Sequence, residues 1–447
     1  MGRPRSSLDE WVRGKVGLGP GEELTREKLA DYQLGKLRAL VDYVSRHSPF
    51  YRRHLQGYPL TALNSLDDLA ELPFTTEEDL RAAGLKMLCV SQSRINRIVT
   101  LDTSGTTGRP KRICFTPADQ ALTVEFFQQG LATFTWPGEK VLILLPGERP
   151  GSIGDLLARA MQNLGVVPIP FGVGHSLAEM LAKLAETQAQ VIIGIPVHVL
   201  ALARYHRLWE PEKTINLKRV LLTTDYVAQA VVEVLQDSWQ CEVFRYYGMT
   251  EMGYGGGIEC RRHEGYHLYE GDFLFEIVDP VRGTRVPAGA WGEVVVTTLT
   301  RNGMPLVRYR TGDIARLLPE PCPCGSVLAR LGPVKRRVKG WIRVDDETGF
   351  SIGELDEILF TLPGVVDFMV WRYGAAEPFW LEIEVEAIDR ALSPGQIRRA
   401  LETHPAMQSL LAQGRLQLTA RGIPAPACYR PKTGKRRMEV RVTRGQP

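Results

Sequence analysis

VLILLPGERPGSIGDLLARAMQNLGVVPIP, residues Val141–Pro170, sets two short apolar runs on either side of a stretch with helical periodicity. The pattern repeats: Ser176–Thr187 is again helical in spacing, and Val191–Ile195 (VIIGI) and Val220–Leu222 (VLL) are again short and apolar. Runs of this length that are apolar throughout suit strands covered on both faces, whereas Ile153–Leu164 and Ser176–Thr187 carry the period of amphipathic helices. Doubly buried strands joined by helices form a mainly parallel sheet. The alternation extends from Val99 to about Asp225, so the fold class is α/β.

Outside this block the character changes. Leu29, Tyr32, Leu37, Leu40, Val41 and Val44 predict a helix over Arg26–His54, ended by Pro49. Phe273–Val278 and Glu293–Thr298 alternate like antiparallel strands, with turns at Asp279–Gly283 and Pro287–Gly289. After Arg337 comes a small α+β pattern: Ile352–Leu359 helical, Val366–Trp371 and Trp380–Glu386 strands, Pro394–Thr403 a helix. A chain of 447 residues exceeds one compact core. The expected organisation is a large N-terminal domain, residues 1–337, with mainly parallel αβ sheets and a small β subdomain over about 268–318, then a small α+β C-terminal domain, residues 338–447.

Composition narrows the function classes. With 44% hydrophobic and 24% charged residues the chain is that of an ordinary globular protein. The 55 basic and 51 acidic residues nearly cancel, and no long basic stretch points to nucleic acid. The apolar runs are far short of a membrane span, and MGRPRSSLDEWVRGKVGLGP has no signal-peptide core, so a cytoplasmic protein is expected, without a membrane partner. Seven cysteines, four of them scattered singly (Cys89, Cys114, Cys241, Cys428), fit reduced thiols better than a disulfide framework. A homodimer is one open assembly; the sequence gives no handle on oligomeric state.

Leu101–Lys111, LDTSGTTGRPK, is the strongest local signal. Thr103, Ser104, Gly105, Thr106, Thr107 and Gly108 are followed by Lys111. Glycine lets a backbone approach phosphate oxygens, hydroxyls and amides donate to them, and a lysine offsets their charge. A Walker A loop needs four residues between its first Gly and its Gly-Lys pair, and this stretch lacks them.

TSGTTGRPK resembles the phosphate loop of the adenylate-forming superfamily of acyl-CoA synthetases, adenylation domains and luciferases. Three further segments resemble that family in its order. Tyr247–Glu251 (YGMTE, with Gly248 and Thr250) resembles the segment whose aromatic residue packs on adenine and whose acid binds magnesium; Arg308–Asp313 (RYRTGD) resembles the one whose aspartate holds the ribose; Pro431–Lys435 (PKTGK) resembles the one whose last lysine catalyses adenylation. The resemblance implies ATP and Mg2+ as cofactors, Lys435, Glu251 and Thr103 as catalytic residues, and Asp225 in LLTTD as an adenine-site acid. Lys435, rather than Lys432 or Arg436, follows the expected glycine. A mobile lysine would set its charge against the oxygens that gain charge in the transition state.

SPFYRRHL (Ser48–Leu55), LPFTTEEDLR (Leu72–Arg81), GMTEMG followed by GGGIEC, and LTRNGMPLVRYRTGD followed by CPCG resemble the phenylacetate-CoA ligase branch in particular. Cys260, His267, Cys322 and Cys324 would make a closed four-donor zinc site with a structural role. His263 is the rival imidazole, being nearer Cys260; the branch resemblance favours His267. By the same resemblance Arg337 contacts ribose, Lys339 lies near a hinge, and the C-terminal domain is mobile. The branch's Arg-x-Asp-Asp hinge pattern is absent, and VKGWIRVDDETGFSIGELDEIL stands in its place.

The expected reaction joins a carboxylic acid, aromatic or arylacetic, to AMP and then to coenzyme A as co-substrate. Trp136, Tyr246, Tyr254 and the Gly255–Gly257 run are candidates for the acid pocket, with His175 and His198 as lone histidines nearby. Pro146–Asp155 departs from the Gly/Tyr-rich stretch of phenylacetate-specific members. The rival readings are another acceptor (a coenzyme hydroxyl or a carrier protein) and a non-catalytic scaffold on the same fold.

Overall fold

A computed structural model describes residues 7–58, 63–101, 109–343, 349–373, 378–388, 390–426, 428–432, 436 and 438–441. The chain divides into two compact units, one made of residues 1–137, 148–166 and 246–335, the other of 138–147, 167–245 and 336–447.

The second unit holds the parallel strands that the apolar runs predict. Val167–Pro170, Lys140–Leu144, Val191–Gly194, Arg219–Leu222 and the strand starting at Glu242 lie side by side in that order, all parallel. The central strands are fully buried, as their composition demands. Val167–Pro170 departs from that expectation: it is the edge strand, partly exposed, where two prolines that cannot donate to a ladder are tolerated. Helix Leu177–Thr187 starts on a capping box between Ser176 and Glu179. Helices Pro196–Trp209 and Gln229–Trp239 follow the next strands.

The same unit carries a second sheet, in the order Leu416–Pro424, Phe379–Ala387, Val365–Tyr373, Met438–Arg441. Its middle pair is antiparallel and its outer pairs parallel. Helices Ile352–Leu359, Pro394–Leu401 and Pro405–Ala412 accompany it. One apolar core joins both sheets, running through Leu142, Ile192, Leu200, Val220, Leu355, Val370 and Ile383.

The first unit contains the N-terminal helices, the hairpin Arg97–Leu101 with Lys111–Phe115, helix Pro117–Leu131 and two antiparallel ladders. Phe273–Val278, Gly292–Thr298 and Tyr309–Ala315 form one ladder, as their alternation predicts. Tyr246–Gly248, Gly256–Glu259, Tyr266–Leu268, Arg330–Leu331 and Leu317–Leu318 form the other. The helix expected over Arg26–His54 is two helices, Arg26–His47 and Pro49–His54. Ser48 separates them: its side chain accepts from the Tyr51 amide, and Pro49 takes the first helical position, where its missing N–H costs nothing.

Among the described residues no helix is long and apolar enough to cross a membrane. All seven cysteines are free thiols, and burial pushes Cys89 and Cys241 up to about 12.

The Gly255–Gly257 run, a candidate for the acid pocket, is closely packed. A Cβ on Gly255 would lie 2.6 Å from the Phe126 ring, and one on Gly256 would lie 2.4 Å from the Tyr247 carbonyl oxygen. The second collision is with backbone and cannot relax by a rotamer change. Gly256→Ala should therefore cost about 1–3 kcal/mol, as overpacking typically does. The thermal unfolding midpoint of the variant beside that of the unaltered chain is the check; equal midpoints would mean the strand shifts freely.

Candidate active site

The phosphate-loop stretch Thr103–Gly108 lies outside the described residues, but both its flanks are described. Leu101 pairs with Lys111 across the hairpin, so the two chain ends leaving the loop are held together. Lys111 is buried, with its ammonium paired to Glu251 and 3.4 Å from Glu77. Glu251 sits in a short turn, Thr250–Met252, just after the strand Glu242–Gly248 and is itself buried. Burying a carboxylate is costly unless it is paired and hydrogen-bonded. Here Lys111 supplies the pairing and the Tyr309 hydroxyl donates to Glu251 Oε1 at 3.3 Å.

Tyr309 belongs to RYRTGD. Four residues on, Asp313 accepts from the Tyr247 hydroxyl at 3.2 Å. Tyr247 lies four residues before Glu251. The segments YGMTE and RYRTGD are thus joined twice, each contributing one tyrosine and one carboxylate. Gly248 has no room for a side chain, since a Cβ would lie 2.8 Å from the Tyr254 carbonyl oxygen. Thr250 opens the turn that presents Glu251.

Several residues that hold this arrangement lie in the quoted signatures without being singled out there. Arg301 is buried, and its guanidinium donates to the Glu251 carbonyl at 2.6 Å and to the Cys114 carbonyl at 2.8 Å while lying over the Phe115 ring. It ties the strand after the phosphate loop to the Glu251 turn. The Tyr51 hydroxyl accepts from the Val307 amide at 3.0 Å and contacts the Thr75 hydroxyl, which donates to the Val307 carbonyl at 2.7 Å. The opening signatures SPFYRRHL and LPFTTEEDLR therefore act as backing for RYRTGD. Only their distance in sequence hides this.

Other candidates have different surroundings. Asp225, Arg337, His175 and His198 belong to the second unit. Asp225 accepts from the Arg436 amide at 3.3 Å, and Arg337 is exposed. His175 bonds to the Phe171 carbonyl at 2.9 Å, and His198 to the Lys432 carbonyl at 2.8 Å. Lys435 lies outside the described residues. In the first unit Trp136 is exposed, with the Arg261 guanidinium 4.8 Å from its ring. Tyr246 is buried and donates to the Tyr254 carbonyl at 2.8 Å; the Tyr254 ring stacks on Phe115.

Cys260, His267, Cys322 and Cys324 converge, their ligand atoms all within 4.8 Å of one another. Cys260 Sγ is 3.7 Å from Cys322 Sγ, and Cys324 Sγ is 3.4 Å from His267 Nε2. Tetrahedral bonds of about 2.3 Å to sulfur would set sulfurs about 3.8 Å apart, so the set has room for one ion. His263 is not part of it, since its Nδ1 faces Glu259 at 3.4 Å. Cys260 ends the strand Gly256–Glu259, His267 is in Tyr266–Leu268, and the other two lie between Leu317–Leu318 and Arg330–Leu331. These strands are two to four residues long, and a shared ion would reinforce a ladder with few hydrogen bonds.

Residues 77–300, half of the chain, match the family described as AMP-binding enzyme. A phenylacetate-coenzyme A ligase of Thermus thermophilus is 30% identical over 379 residues, covering 81% of this chain and 83% of the relative. The phenylacetate-coenzyme A ligase of Pseudomonas putida is 26% identical, with 85% and 87% covered. Among solved structures, a 2-hydroxyisobutyryl-CoA ligase in its postadenylation state with 2-HIB-AMP aligns over 96% of this chain and 94% of its own at a TM-score of 0.77; at 22% identity this is a likeness of fold.

The buried Lys111–Glu251 pair yields a direct test. Lys111→Met leaves the Glu251 carboxylate without its ammonium and should lower stability by about 3–5 kcal/mol. Adding Glu251→Gln should recover most of the loss. Chemical denaturation of both single variants and the double variant measures the coupling; purely additive effects would show that the pair is not coupled.

Proposed function

This chain belongs to the AMP-binding enzyme family, and on that premise we propose that it activates a carboxylic acid as its acyl-adenylate and passes the acyl group to coenzyme A. The observation that carries the reading is the double link of Tyr309 to Glu251 and Tyr247 to Asp313, with Lys111 brought to the same carboxylate. It gathers three of the four family segments, each with its chemically competent residue, around the exit of a Gly/Ser/Thr loop.

In the first half-reaction the substrate carboxylate attacks the α-phosphorus of ATP in line, and pyrophosphate leaves. Thr103, Ser104, Gly105, Thr106, Thr107 and Gly108 donate to the phosphates. Asp313 accepts from the ribose hydroxyls, Tyr247 and Gly248 flank the adenine, and Lys435 offsets the charge that develops on the α-phosphate. Glu251 would hold magnesium, which would supply Lewis-acid neutralisation of the phosphates. Lys111, beside Glu251, would set its ammonium against a phosphate oxygen.

In the second half-reaction the coenzyme A thiolate attacks the acyl carbonyl, the C–O bond to phosphate breaks, and AMP leaves. Direct attack of a thiol on the free carboxylate would have to expel an oxide ion, which is why activation precedes transfer. Residues 338–447 act as the mobile domain that brings Lys435 for the first half-reaction and withdraws it for the second, with Arg337 at the ribose beside the hinge.

The acid is of the aromatic or arylacetic class. The names of the relatives support this, as do the rings of Phe115 and Phe127 beside Tyr254, which follows Glu251 by three residues. The Cys260, His267, Cys322 and Cys324 set holds a structural zinc ion, because four protein donors leave no position for substrate.

Carboxylate-dependent exchange of labelled pyrophosphate into ATP tests the first half-reaction over a panel of acids. Consumption of coenzyme A with the active acid separates it from other acceptors, and no exchange with any acid would favour the scaffold reading. Lys435→Ala should lower adenylation by about 10²–10³-fold, the scale of losing one transition-state donor. Thioester formation from pre-made acyl-AMP should survive; equal loss of both halves would remove the lysine from its role. Metal analysis should give about one zinc per chain, and a zinc-free protein that stays folded would remove the ion.

A further inference from the structure

Asp272 stands directly before the strand Phe273–Val278, and Arg301 lies shortly after the strand Gly292–Thr298. Both belong to the first unit, and both are buried, at 1% and 5% exposure. Lys15 Nζ donates to Asp272 Oδ1 at 2.8 Å, and the Thr300 hydroxyl donates to the same oxygen at 2.5 Å. Oδ2 has no hydrogen-bond partner among the described residues. Arg301 is likewise incomplete. Its two terminal nitrogens donate to the Glu251 and Cys114 carbonyls, while Nε has no partner among the described residues. Burial works against both charges, raising the pKa of Asp272 and lowering that of Arg301. A donor or acceptor left open in the interior loses its hydration with nothing in return.

These two side chains line one cavity, whose walls include Phe115, Phe126, Met252 and Phe273. It offers about 10 Å³ to the centre of a water-sized sphere, which is the room of a single water molecule. The open atoms dictate the chemistry of an occupant. Oδ2 calls for a donor and Nε–H for an acceptor. A metal cation accepts nothing from Nε–H and would stand against the guanidinium. An anion donates nothing to Oδ2 and would stand against Asp272 and against Asp119, which lines the same cavity. A hydrocarbon group answers neither atom. Water answers both.

We infer that this cavity binds one ordered water molecule, which accepts from Arg301 Nε–H and donates to Asp272 Oδ2. The water completes a chain of contacts. It starts at Lys15 on the helix Ser7–Val16, passes through Asp272 and the water to Arg301, and ends on the Glu251 carbonyl. With Nε engaged, all three guanidinium nitrogens are held, which fixes the plane of the group over the Phe115 ring. The dipole of the water also lies between a carboxylate and a guanidinium that burial disfavours, so it offsets part of the cost of both. The N-terminal helix and the turn carrying Glu251 are thereby coupled, although the two do not adjoin in sequence.

The water site would exist whether or not the chain activates an acid, so its tests use the full-length protein without substrates. A high-resolution crystal structure should show one density peak within hydrogen-bond distance of both Asp272 Oδ2 and Arg301 Nε. A direct bond between those two atoms, a peak touching only one of them, or no peak would overturn the proposal. So would a peak ringed by oxygens at cation distances with the guanidinium turned away. In solution, isotope-labelled arginine should give an Arg301 Nε–H signal, identified by its loss in Arg301→Lys, that shows magnetisation transfer from a long-lived water. A protected signal without that transfer would count against the site. The coupling is read from unfolding equilibrium constants. The effects of Asp272→Asn and Arg301→Lys, multiplied together, should miss that of the double variant by at least about threefold. Strictly multiplicative effects would mean that the two side chains share no ligand. Should Arg301→Lys fail to fold, the density in the unaltered protein decides alone.

Discussion

The ammonium of Lys111 against the buried carboxylate of Glu251 is the contact that organises the first unit. Neither charge tolerates burial alone. The strand Lys111–Phe115 and the turn after the strand Glu242–Gly248 must therefore approach until the two meet. Tyr309 joins the same carboxylate, which brings in the third strand of the antiparallel ladder, and Tyr247 reaching Asp313 closes the arrangement from the other side. Two tyrosine hydroxyls and one lysine thus set the spacing of segments that lie up to two hundred residues apart in the chain.

Around this centre, hydrogen bonds to main-chain groups carry the load that ion pairs do not. Arg301 spends its donors on backbone carbonyls at Glu251 and Cys114, so it fixes main chain rather than side chain. Thr75 and Tyr51 do the same for Val307. The pattern explains why so many residues outside the chemically obvious segments are polar and yet buried: each closes a donor or acceptor that a loop would otherwise leave unpaired in the interior.

How much of this was readable depended on whether a feature is local. The parallel strands announce themselves because each apolar run is complete in itself, and the capping box at Ser176 and Glu179 needs only three residues. The Arg26–His54 break was half readable: Pro49 marks it, but the restart depends on Ser48 capping the next turn. Cys260, His267, Cys322 and Cys324 were legible as donors by residue type, and the exclusion of His263 follows only from where Glu259 lies. Arg301, Thr75 and Tyr51 lie inside quoted signatures, but their roles were illegible, because the bonds that define them reach 50 to 256 residues away. For Asp225 the family resemblance implies an adenine-site acid. Its bond to the Arg436 amide depends on a segment that begins two hundred residues later.

The basic tail KTGKRR shows what geometry adds where composition is mute. Sequence alone offers four basic residues in one stretch, any of which has the charge to meet a phosphate. Lys432 is committed to Glu386 at 3.1 Å, half-exposed at the surface. Arg436 is committed to Asp356 and Asp367 in the interior. A charge already neutralised by a carboxylate within the fold is poorly placed to follow a charge that appears only during reaction, since releasing it would strand its partner. Among the described residues of this stretch, Lys432 and Arg436 are therefore each held by carboxylates within the fold. Among the described residues, Asp356, Asp367 and Asp225 favour the charge on Arg436 against the cost of its burial.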